Sequence, residues 1–232
     1  MSYEQERGVE STGGQRKLLG TVPDRLMLIT QSGGQNSLPA QIEGFMEGGG
    51  QLVQLRIKGY CARGLENEAQ WARDLCQEGG ARLVVNDYVD VAAGCGAWGV
   101  HLGLDDMPVA QARKRLGPDV VIGATAHNFQ EAVAAAQQGA DYLGVGPLRF
   151  TSTKDRLAPI LGFDGVVSLL RRLDEAGIKI PVYVVGGVES TDVRGLILSG
   201  AFGVAVSASI ALASDPAFAT DKFLESIYKA VR

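Results

Sequence analysis

Residues 81–127 read ARLVVNDYVDVAAGCGAWGVHLGLDDMPVAQARKRLGPDVVIGATAH, and short apolar runs alternate in this stretch with segments of helical character. The runs ARLVVN, WGVHLG and VVIGA have the length of strands and are rich in branched apolar residues, which favours β-structure. Between them, residues 90–94 and 109–116 predict helices. Strands that alternate with helices in this way are typical of parallel sheets joined by crossover helices.

The same alternation extends in both directions, from residue 25 to the C-terminus. Further predicted strands are RLMLIT, QLVQLRI, YLGVG, PVYVVG and FGVAVS, and further predicted helices lie near residues 39–47, 66–78, 129–138, 163–176, 191–198 and 216–231. Eight strand and helix pairs predict a single α/β domain, a closed (β/α)8 or TIM barrel over residues 23–232. An open doubly wound sheet is the alternative, but its first turn usually reads G-x-G-x-x-G, where this chain has QSGGQNS.

Composition narrows the function classes. The chain has 22 Lys and Arg against 26 Asp and Glu, a net charge of −4, so we expect no polybasic field for nucleic acid or an anionic membrane. No apolar run approaches the roughly 20 residues of a membrane span, and the start lacks the apolar core of a secretory signal, which predicts a cytoplasmic protein. Residues 1–22 are polar and without periodicity and predict a flexible arm. The three cysteines lack C-x-x-C spacing and predict free thiols.

Polar residues interrupt the apolar pattern at the ends of the predicted strands. In a (β/α)8 barrel the C-terminal strand ends form one rim, so residues far apart in the sequence converge there. In strand order these residues are Gln54, Arg56, Lys58, Asn86, Asp87, His101, Asp105, Asp106, Thr125, His127, Arg149, Thr151, Thr153, Lys154, Gly186, Gly187 and Ser207. The pattern predicts an active site at this rim.

The second strand carries a cationic stripe. Gln54, Arg56 and Lys58 alternate with apolar residues, so their side chains share one face, which in a barrel strand is the interior. Burying two cations is costly unless they meet an anion, and phosphate oxygens suit both groups. The alternative is that they pair with interior carboxylates such as Asp87.

Two carboxylates follow neighbouring strands. Asp87 comes after the third strand, and Asp105 and Asp106 come after the fourth. Mg²⁺ is usually held by one or two carboxylates together with substrate phosphates, so these residues predict a magnesium site. Acidic loop residues are also common helix caps, which is the alternative for Asp106.

The last strands end in residues suited to a phosphate. Gly186 and Gly187 follow the seventh strand and Ser207 follows the eighth, where barrels often bind phosphate through backbone N–H groups. The segment FTSTK at residues 150–154 offers hydroxyls and an ammonium that would suit a diphosphate. A Gly-Gly pair or a Ser/Thr-rich loop is also often only a turn.

The two histidines lead to different expectations. His101 lies within an apolar strand, which is more typical of a hydrogen-bonded core histidine than of a base. His127 stands at a strand end and is the better candidate for the site.

The motifs QLRIK, VVNDYVDVA, GVHLGLDDMP, IGATAH, DYLGVGPLRFTSTK, VVGGV and GVAVS occur in this order, and over residues 26–212 the chain resembles the thiamine-phosphate synthase family. The resemblance implies a (β/α)8 barrel that joins hydroxymethylpyrimidine pyrophosphate to thiazole phosphate with Mg²⁺, releasing pyrophosphate and forming thiamine phosphate. It also implies a dissociative substitution, in which pyrophosphate leaves first and the thiazole nitrogen captures the pyrimidinylmethyl cation. No side-chain base is then required.

The resemblance assigns roles by position in the motifs. Arg56, Lys58, Asn86 and Lys154 would hold the diphosphate, Asp87 and Asp106 would hold Mg²⁺, and Thr125 would lie near the pyrimidine, where the family usually has serine. Thr151 and Thr153 match substrate-contacting loop residues, and Gly187 with the Ser207 region matches the cradle for the thiazole phosphate. We therefore predict Arg56, Lys58, Thr125 and Lys154 as catalytic residues, Asp87 and Asp106 as metal ligands, and Gln54, Asn86, Thr151, Thr153, Gly186, Gly187 and Ser207 as substrate-binding residues.

The chain departs from the family pattern at Ile57, Leu104 and Ala208, and only Ala208 removes a hydroxyl expected near phosphate. Three alternatives remain at this point: a thiazole tautomerase, with a histidine at position 127 but an altered sixth loop; a non-catalytic precursor-binding barrel, which would lack the carboxylates or Lys154; and another phosphate-binding barrel such as an aldolase, for which Lys58 could serve as the Schiff-base lysine. A homo-oligomer is compatible with the sequence.

Overall fold

The computed structural model describes residues 22–57, 59, 62–150 and 159–232. The predicted flexible arm falls outside the described residues except for Val22, which begins a 3-10 turn over Val22–Arg25. The predicted site residues Lys58, Thr151, Thr153 and Lys154 also lie outside them.

The strands form a closed barrel in chain order, and each strand pairs in parallel with its two neighbours. Their bounds are β1 Leu26–Ile29, β2 Leu52–Leu55, β3 Arg82–Asn86, β4 Gly99–Leu102, β5 Val121–Ala126, β6 Tyr142–Val145, β7 Val182–Val185 and β8 Gly203–Val206. The prediction of a (β/α)8 barrel is confirmed. The open sheet is wrong, because β1 and β8 are hydrogen-bonded to each other.

Helices follow the strands, with bounds α1 Leu38–Glu47, α2 Ala62–Glu78, α3 Val89–Cys95, α4 Val109–Leu116, α5 Phe129–Gln137, α6 Gly162–Glu175, α7 Val193–Leu198, α8 Ala208–Ala211 and α9 Pro216–Val231. Two predicted helix starts are confirmed by side-chain caps, because Asn128 accepts a hydrogen bond from the Glu131 amide and Asp215 accepts one from the Phe218 amide. Within the described residues, none of the helices is both long enough and apolar enough to cross a membrane.

Strand residues alternate between two apolar layers. One layer joins the outer face of the strands to the helices, as in the contact group that contains Val53, Leu55 and the α1 residue Phe45. The other layer contains only strand residues among its fully buried members, including Met27, Leu52, Tyr142 and Tyr183, and therefore fills the barrel interior. Counting in steps of two along each strand then shows which residues reach the rim from inside.

Two interior positions are glycines because aromatic rings occupy the space beside them. A Cβ atom built on Gly123 would lie 2.0 Å from Cζ of Tyr142, and one built on Gly144 would lie 3.0 Å from Cε1 of His101. These glycines of β5 and β6 therefore let Tyr142 and His101 lie across the middle of the barrel.

The N-terminal end of the barrel is closed by a buried ion pair. Asp24, which is 3% exposed, pairs with Arg82, whose guanidinium lies 4.7 Å from the ring centroid of Trp98. The hydroxyl of Tyr183 donates to the Asp24 carbonyl oxygen at 2.6 Å. The Asp24 carboxylate and the Arg82 guanidinium are thus paired with each other, which avoids the cost of a buried charge without a partner.

Candidate active site

A chain of polar side chains crosses the barrel interior below the C-terminal rim. His101 Nε2 lies 3.0 Å from the Thr125 hydroxyl, and His101 Nδ1 lies 3.1 Å from the Tyr142 hydroxyl. Tyr142 is also hydrogen-bonded by the Gln54 side chain. His101 is only 8% exposed and both of its ring nitrogens face hydroxyl groups, which confirms that it is a hydrogen-bonded core histidine.

The direction of these hydrogen bonds depends on the tautomer of His101. Burial raises the pKa of Tyr142, and the hydrogen bond from Gln54 opposes that rise only in part, so the phenol stays protonated. Its oxygen accepts from the Gln54 amide, and in the His101 tautomer that carries the proton on Nε2 the phenol donates its own proton to Nδ1. In that tautomer His101 Nε2 donates to Thr125. The Thr125 hydroxyl proton is thereby directed away from His101.

Thr125 and Gln54 thus lie where the sequence predicted site residues, on the inner face. Thr125 is 7% exposed and lies within β5, not after it. Gln54 is 3% exposed, and its Nε2 also contacts Met27 Sδ at 3.4 Å. Both side chains belong to the floor beneath the rim.

Of the two cations predicted for the second strand, Arg56 is the one that lies within the described residues. It follows β2 two residues after Gln54, so it continues the same inner face, and it is half-buried. Thr30 fixes its backbone, because the Thr30 hydroxyl accepts from the Arg56 amide at 2.8 Å and donates to its carbonyl at 3.1 Å. A single threonine after β1 therefore sets the point at which Arg56 leaves the sheet.

Asp87 lies in an unusual turn at the end of β3. Its φ is 68°, the only positive value for a non-glycine residue among those described. The Tyr88 amide donates to the Asn86 carbonyl across it at 2.9 Å, while the Asp87 amide donates to the His101 carbonyl at 2.8 Å. Such backbone conformations cost free energy and cluster at functional sites. The turn places Asn86 and Asp87 at the rim beside β4.

Asp106 folds back onto the end of β4. Its Oδ2 accepts a hydrogen bond from the Gly103 amide at 2.6 Å, two residues after His101. Helix α4 begins with Pro108 in the capping position, so Asp106 is not its side-chain cap. Asp87 and Asp106 are consequently carried by adjacent strand ends.

Asp87 and Asp106 carry oxygen donors of the kind that Mg²⁺ takes, and Mg²⁺ usually keeps further positions for substrate phosphate or water. Asp87 is exposed and Asp106 is half-buried, so solvent and substrate have access to them. The described part of the chain contains no cluster of three or more His, Cys, Asp or Glu residues suited to a metal.

The glycine turn after β7 is joined to the segment after β6. Gly186 and Gly187 have φ values of 92° and 69°, which favour glycine. The Leu148 amide donates to Val185 O at 3.0 Å and the Arg149 amide to Gly186 O at 2.9 Å. The pairing of β6 with β7 therefore continues beyond the strands, and the predicted phosphate-binding glycines lie on its β7 side.

Ser207 caps the four-residue helix α8 after β8. Its hydroxyl donates to Oε1 of Gln31 at 3.3 Å, and its carbonyl accepts from the amides of Ile210 and Ala211. Ser209 donates to the Val188 carbonyl at 3.2 Å and so joins α8 to the turn after β7. Ser207 and the glycine turn thus belong to one region of the rim.

His127 lies on the inner face two residues after Thr125 and is half-buried. Its Nδ1 donates to the Gly146 carbonyl at 2.5 Å, and a carbonyl can only accept, so Nδ1 carries the proton. In the neutral ring Nε2 is then an acceptor. The position fits a site residue, whereas a role as a base stays a prediction.

Sequence reasoning gave no role to three groups in this region. Gln31 contacts Ser207 from the end of β1, Tyr142 supports His101, and Arg149 pairs with Asp192 of the turn before α7. The step of two along β6 could have placed Tyr142 inside the barrel. Arg149 was visible as a strand-end cation, but nothing in the sequence identifies its partner, 43 positions away.

The fold defines the class of protein: a (β/α)8 barrel, a fold whose enzymes carry their active sites at the C-terminal strand ends. Comparison with known proteins narrows the class. A family described as thiamine monophosphate synthase matches residues 26–210. The chain therefore belongs to the thiamine monophosphate synthase family, and the resemblance seen in the sequence is confirmed.

Individual relatives agree with this assignment. The chain is 42% identical over 179 residues to thiamine-phosphate synthase of Bacteroides thetaiotaomicron, covering 77% of this chain and 86% of that protein. It is 39% identical over 217 residues to thiamine-phosphate synthase of Geobacillus kaustophilus, covering 91% and 96%. The solved structure of thiamine phosphate pyrophosphorylase from Pyrococcus furiosus superposes with a TM-score of 0.79 at 30% identity, covering 90% of this chain and 97% of that one.

Proposed function

We propose that this chain is a thiamine-phosphate synthase that joins hydroxymethylpyrimidine pyrophosphate to thiazole phosphate, with release of pyrophosphate. The observation that carries the proposal is the rim itself. In a member of this family, a cation follows β2 and carboxylates follow β3 and β4 of one barrel. An inward-facing hydroxyl lies within β5 of the same barrel, and a glycine turn follows β7. Each group suits one part of the two substrates.

The floor of the barrel suits the pyrimidine. When His101 carries its proton on Nε2, Thr125 accepts that proton and its own hydroxyl proton is available to a ring nitrogen of the substrate. Replacing serine by threonine keeps this hydroxyl and adds a methyl group that reduces rotation about the side-chain bond. Thr125 would thus orient the pyrimidine with its methylene carbon towards the rim.

The β2 to β4 side of the rim suits the diphosphate. Arg56 offers a planar donor group for two phosphate oxygens, and Asn86 offers an amide. Asp87 and Asp106 would hold Mg²⁺, which supplies charge neutralisation to the leaving group when bound. The family resemblance adds Lys58 and Lys154 to this half of the site.

The β7 to β8 side suits the thiazole phosphate. The absence of side chains at Gly186 and Gly187 permits close approach of an anion to the backbone, and Ser207 lies in the same region. Ala208 contributes no hydroxyl here, so backbone N–H groups and Ser207 would carry the binding.

The reaction breaks the C–O bond between the pyrimidinylmethyl carbon and the diphosphate, and the bonding electron pair leaves with the diphosphate oxygen. The lone pair of the thiazole nitrogen then forms the new C–N bond. Negative charge grows on the leaving group, so fixed cationic donors such as Arg56 stabilise the transition state more than the ground state. No proton needs to be removed from the thiazole nitrogen.

The test is an assay of the purified full-length chain with both phosphorylated precursors and Mg²⁺, read by mass spectrometry and by pyrophosphate release. We expect thiamine phosphate and pyrophosphate in equal amounts, and loss of activity with a chelator that Mg²⁺ restores. Recovery of both precursors intact would contradict the proposal and favour a precursor-binding barrel. Conversion of a thiazole precursor alone to an isomer would favour a tautomerase. The cytoplasmic location and homo-oligomeric state stay predictions.

A further inference from the structure

An ion pair spans the loops after β6 and β7. Arg149 Nη1 lies 2.5 Å from Asp192 Oδ2 and Arg149 Nη2 lies 2.7 Å from Asp192 Oδ1, a two-point contact of guanidinium with carboxylate. The side chain of Arg149 is 47% exposed and that of Asp192 only 11%. The Arg149 side chain therefore extends from the loop after β6 to the Asp192 carboxylate in the loop after β7.

Both partners of this pair also bind the backbone of the glycine turn. Arg149 Nη1 donates to the Gly187 carbonyl at 2.9 Å, and the Arg149 amide donates to the Gly186 carbonyl at 2.9 Å. Asp192 Oδ2 accepts from the Glu189 amide at 2.8 Å on the far side of the turn. The pair thus encloses residues 186–189 from both ends.

Steric contact adds to the hydrogen bonds. A Cβ atom on Gly187 would lie 2.9 Å from Arg149 Cβ, so the Arg149 stem lies directly against the turn. The pKa of Asp192 is lowered, chiefly by its hydrogen bond with Arg149, so the carboxylate stays ionised at neutral pH. The contact with Arg149 therefore persists wherever the protein is folded near neutrality.

We propose that Arg149 and Asp192 are positioning residues that fix the conformation of the Gly186–Gly187 turn for the phosphate of the thiazole substrate. This inference rests on the proposed function. Neither side chain needs to touch the substrate: their role is to hold the backbone N–H groups of the turn in one arrangement before the phosphate arrives. Such preorganisation lowers the ordering cost of binding.

The test compares Arg149→Met and Arg149→Lys with wild type in steady-state kinetics, with each substrate varied in turn. For Arg149→Met we expect KM for thiazole phosphate to rise roughly fivefold, the upper end of what an exposed ion pair is worth, while KM for the pyrimidine diphosphate changes by less than about twofold. Arg149→Lys keeps the charge but loses the second contact, so its KM for thiazole phosphate should lie between those of wild type and Arg149→Met.

The control is Arg171→Met, the same substitution at an arginine of α6 that is away from the turn and whose ion pair with Glu175, at 3.7 Å, is exposed on both sides. It should leave both KM values unchanged. An equal rise in the two KM values for Arg149→Met, or no rise in either, would overturn the inference.

A second readout does not depend on activity. The backbone amides at positions 149 and 189 are both hydrogen-bonded across the turn, and their hydrogen exchange should accelerate in Arg149→Met and stay at the wild-type rate in Arg171→Met. If the wild-type protein has no synthase activity but Arg149→Met still accelerates exchange, the proposed function is refuted. The role of Arg149 in fixing the turn then stands. Unchanged exchange in Arg149→Met would refute that role even in an active enzyme.

Discussion

The two ends of the barrel are built on opposite rules. At the N-terminal end, Asp24 is paired with Arg82, and Tyr183 donates to the Asp24 backbone, so the charged groups there are matched within the protein. At the C-terminal end, Arg56 and Asp87 reach a surface that solvent can enter, and Asp87 adopts a positive φ. Charge pairing within the protein therefore stabilises one end of the barrel, while the other end leaves charged groups accessible, and in (β/α)8 enzymes the active site lies at that second end.

The largest expected effect comes from removing the cation at the C-terminal end. Arg56→Ala should lower kcat/KM by on the order of 100- to 1000-fold, because a preorganised donor to the leaving group is lost. The thermal midpoint should stay near that of wild type, since the residue is half-buried and follows the strand. Steady-state kinetics and calorimetry on the same preparation check this. A large fall in the thermal midpoint would mean that Arg56 also stabilises the fold, and the two ends of the barrel would then not differ in their contribution to stability.

The reverse pattern is expected at the N-terminal end. Asp24→Ala leaves the Arg82 guanidinium without its carboxylate in a largely buried place, which should cost about 3 kcal/mol of unfolding free energy. The kcat of the remaining folded protein should match that of wild type. Urea unfolding and kinetics at low temperature measure the two quantities, and a specific loss of kcat would contradict the comparison.

The middle of the barrel should show a smaller and mixed effect. Tyr142→Phe removes the hydroxyl that contacts His101 Nδ1, so the imidazole loses one of the two side-chain contacts that orient it beside Thr125. We expect kcat/KM to fall by about tenfold and stability to fall by about 1 kcal/mol, the value of one buried hydrogen bond. Thr125→Ser is the control, because it keeps the hydroxyl and should remain active. Equal activity of wild type and Tyr142→Phe would show that His101 needs no orientation.

The sequence predicted most of the fold because its main signals are local. The bounds of α4 and α9 match the predictions, since each begins at a proline or directly after one, and α9 also has an aspartate cap. The strands were recognised because they are buried on both faces and read as apolar runs. The same property hides which strand residues face inwards, so Tyr142 and Tyr183 were not identified as interior residues.

The site was predicted less completely, for physical reasons. Strand-end position is enough to bring Arg56, Asp87 and Gly187 to one rim, because parallel strands share their direction. A positive φ at Asp87 depends on hydrogen bonds to a neighbouring strand, and the partner of Arg149 depends on how two loops fold against each other. Neither follows from local composition.

The glycine opposite Tyr142 has a consequence for anyone who wishes to redesign the barrel interior. A Cβ atom at position 123 would overlap the phenol ring, so the two positions cannot be chosen independently. An alanine at position 123 becomes acceptable only with a smaller side chain at position 142, and a smaller side chain at position 142 leaves a void that only a larger residue at position 123 can fill. Replacements at positions 123 and 142 would thus have to be made as a pair, one on each of two adjacent strands.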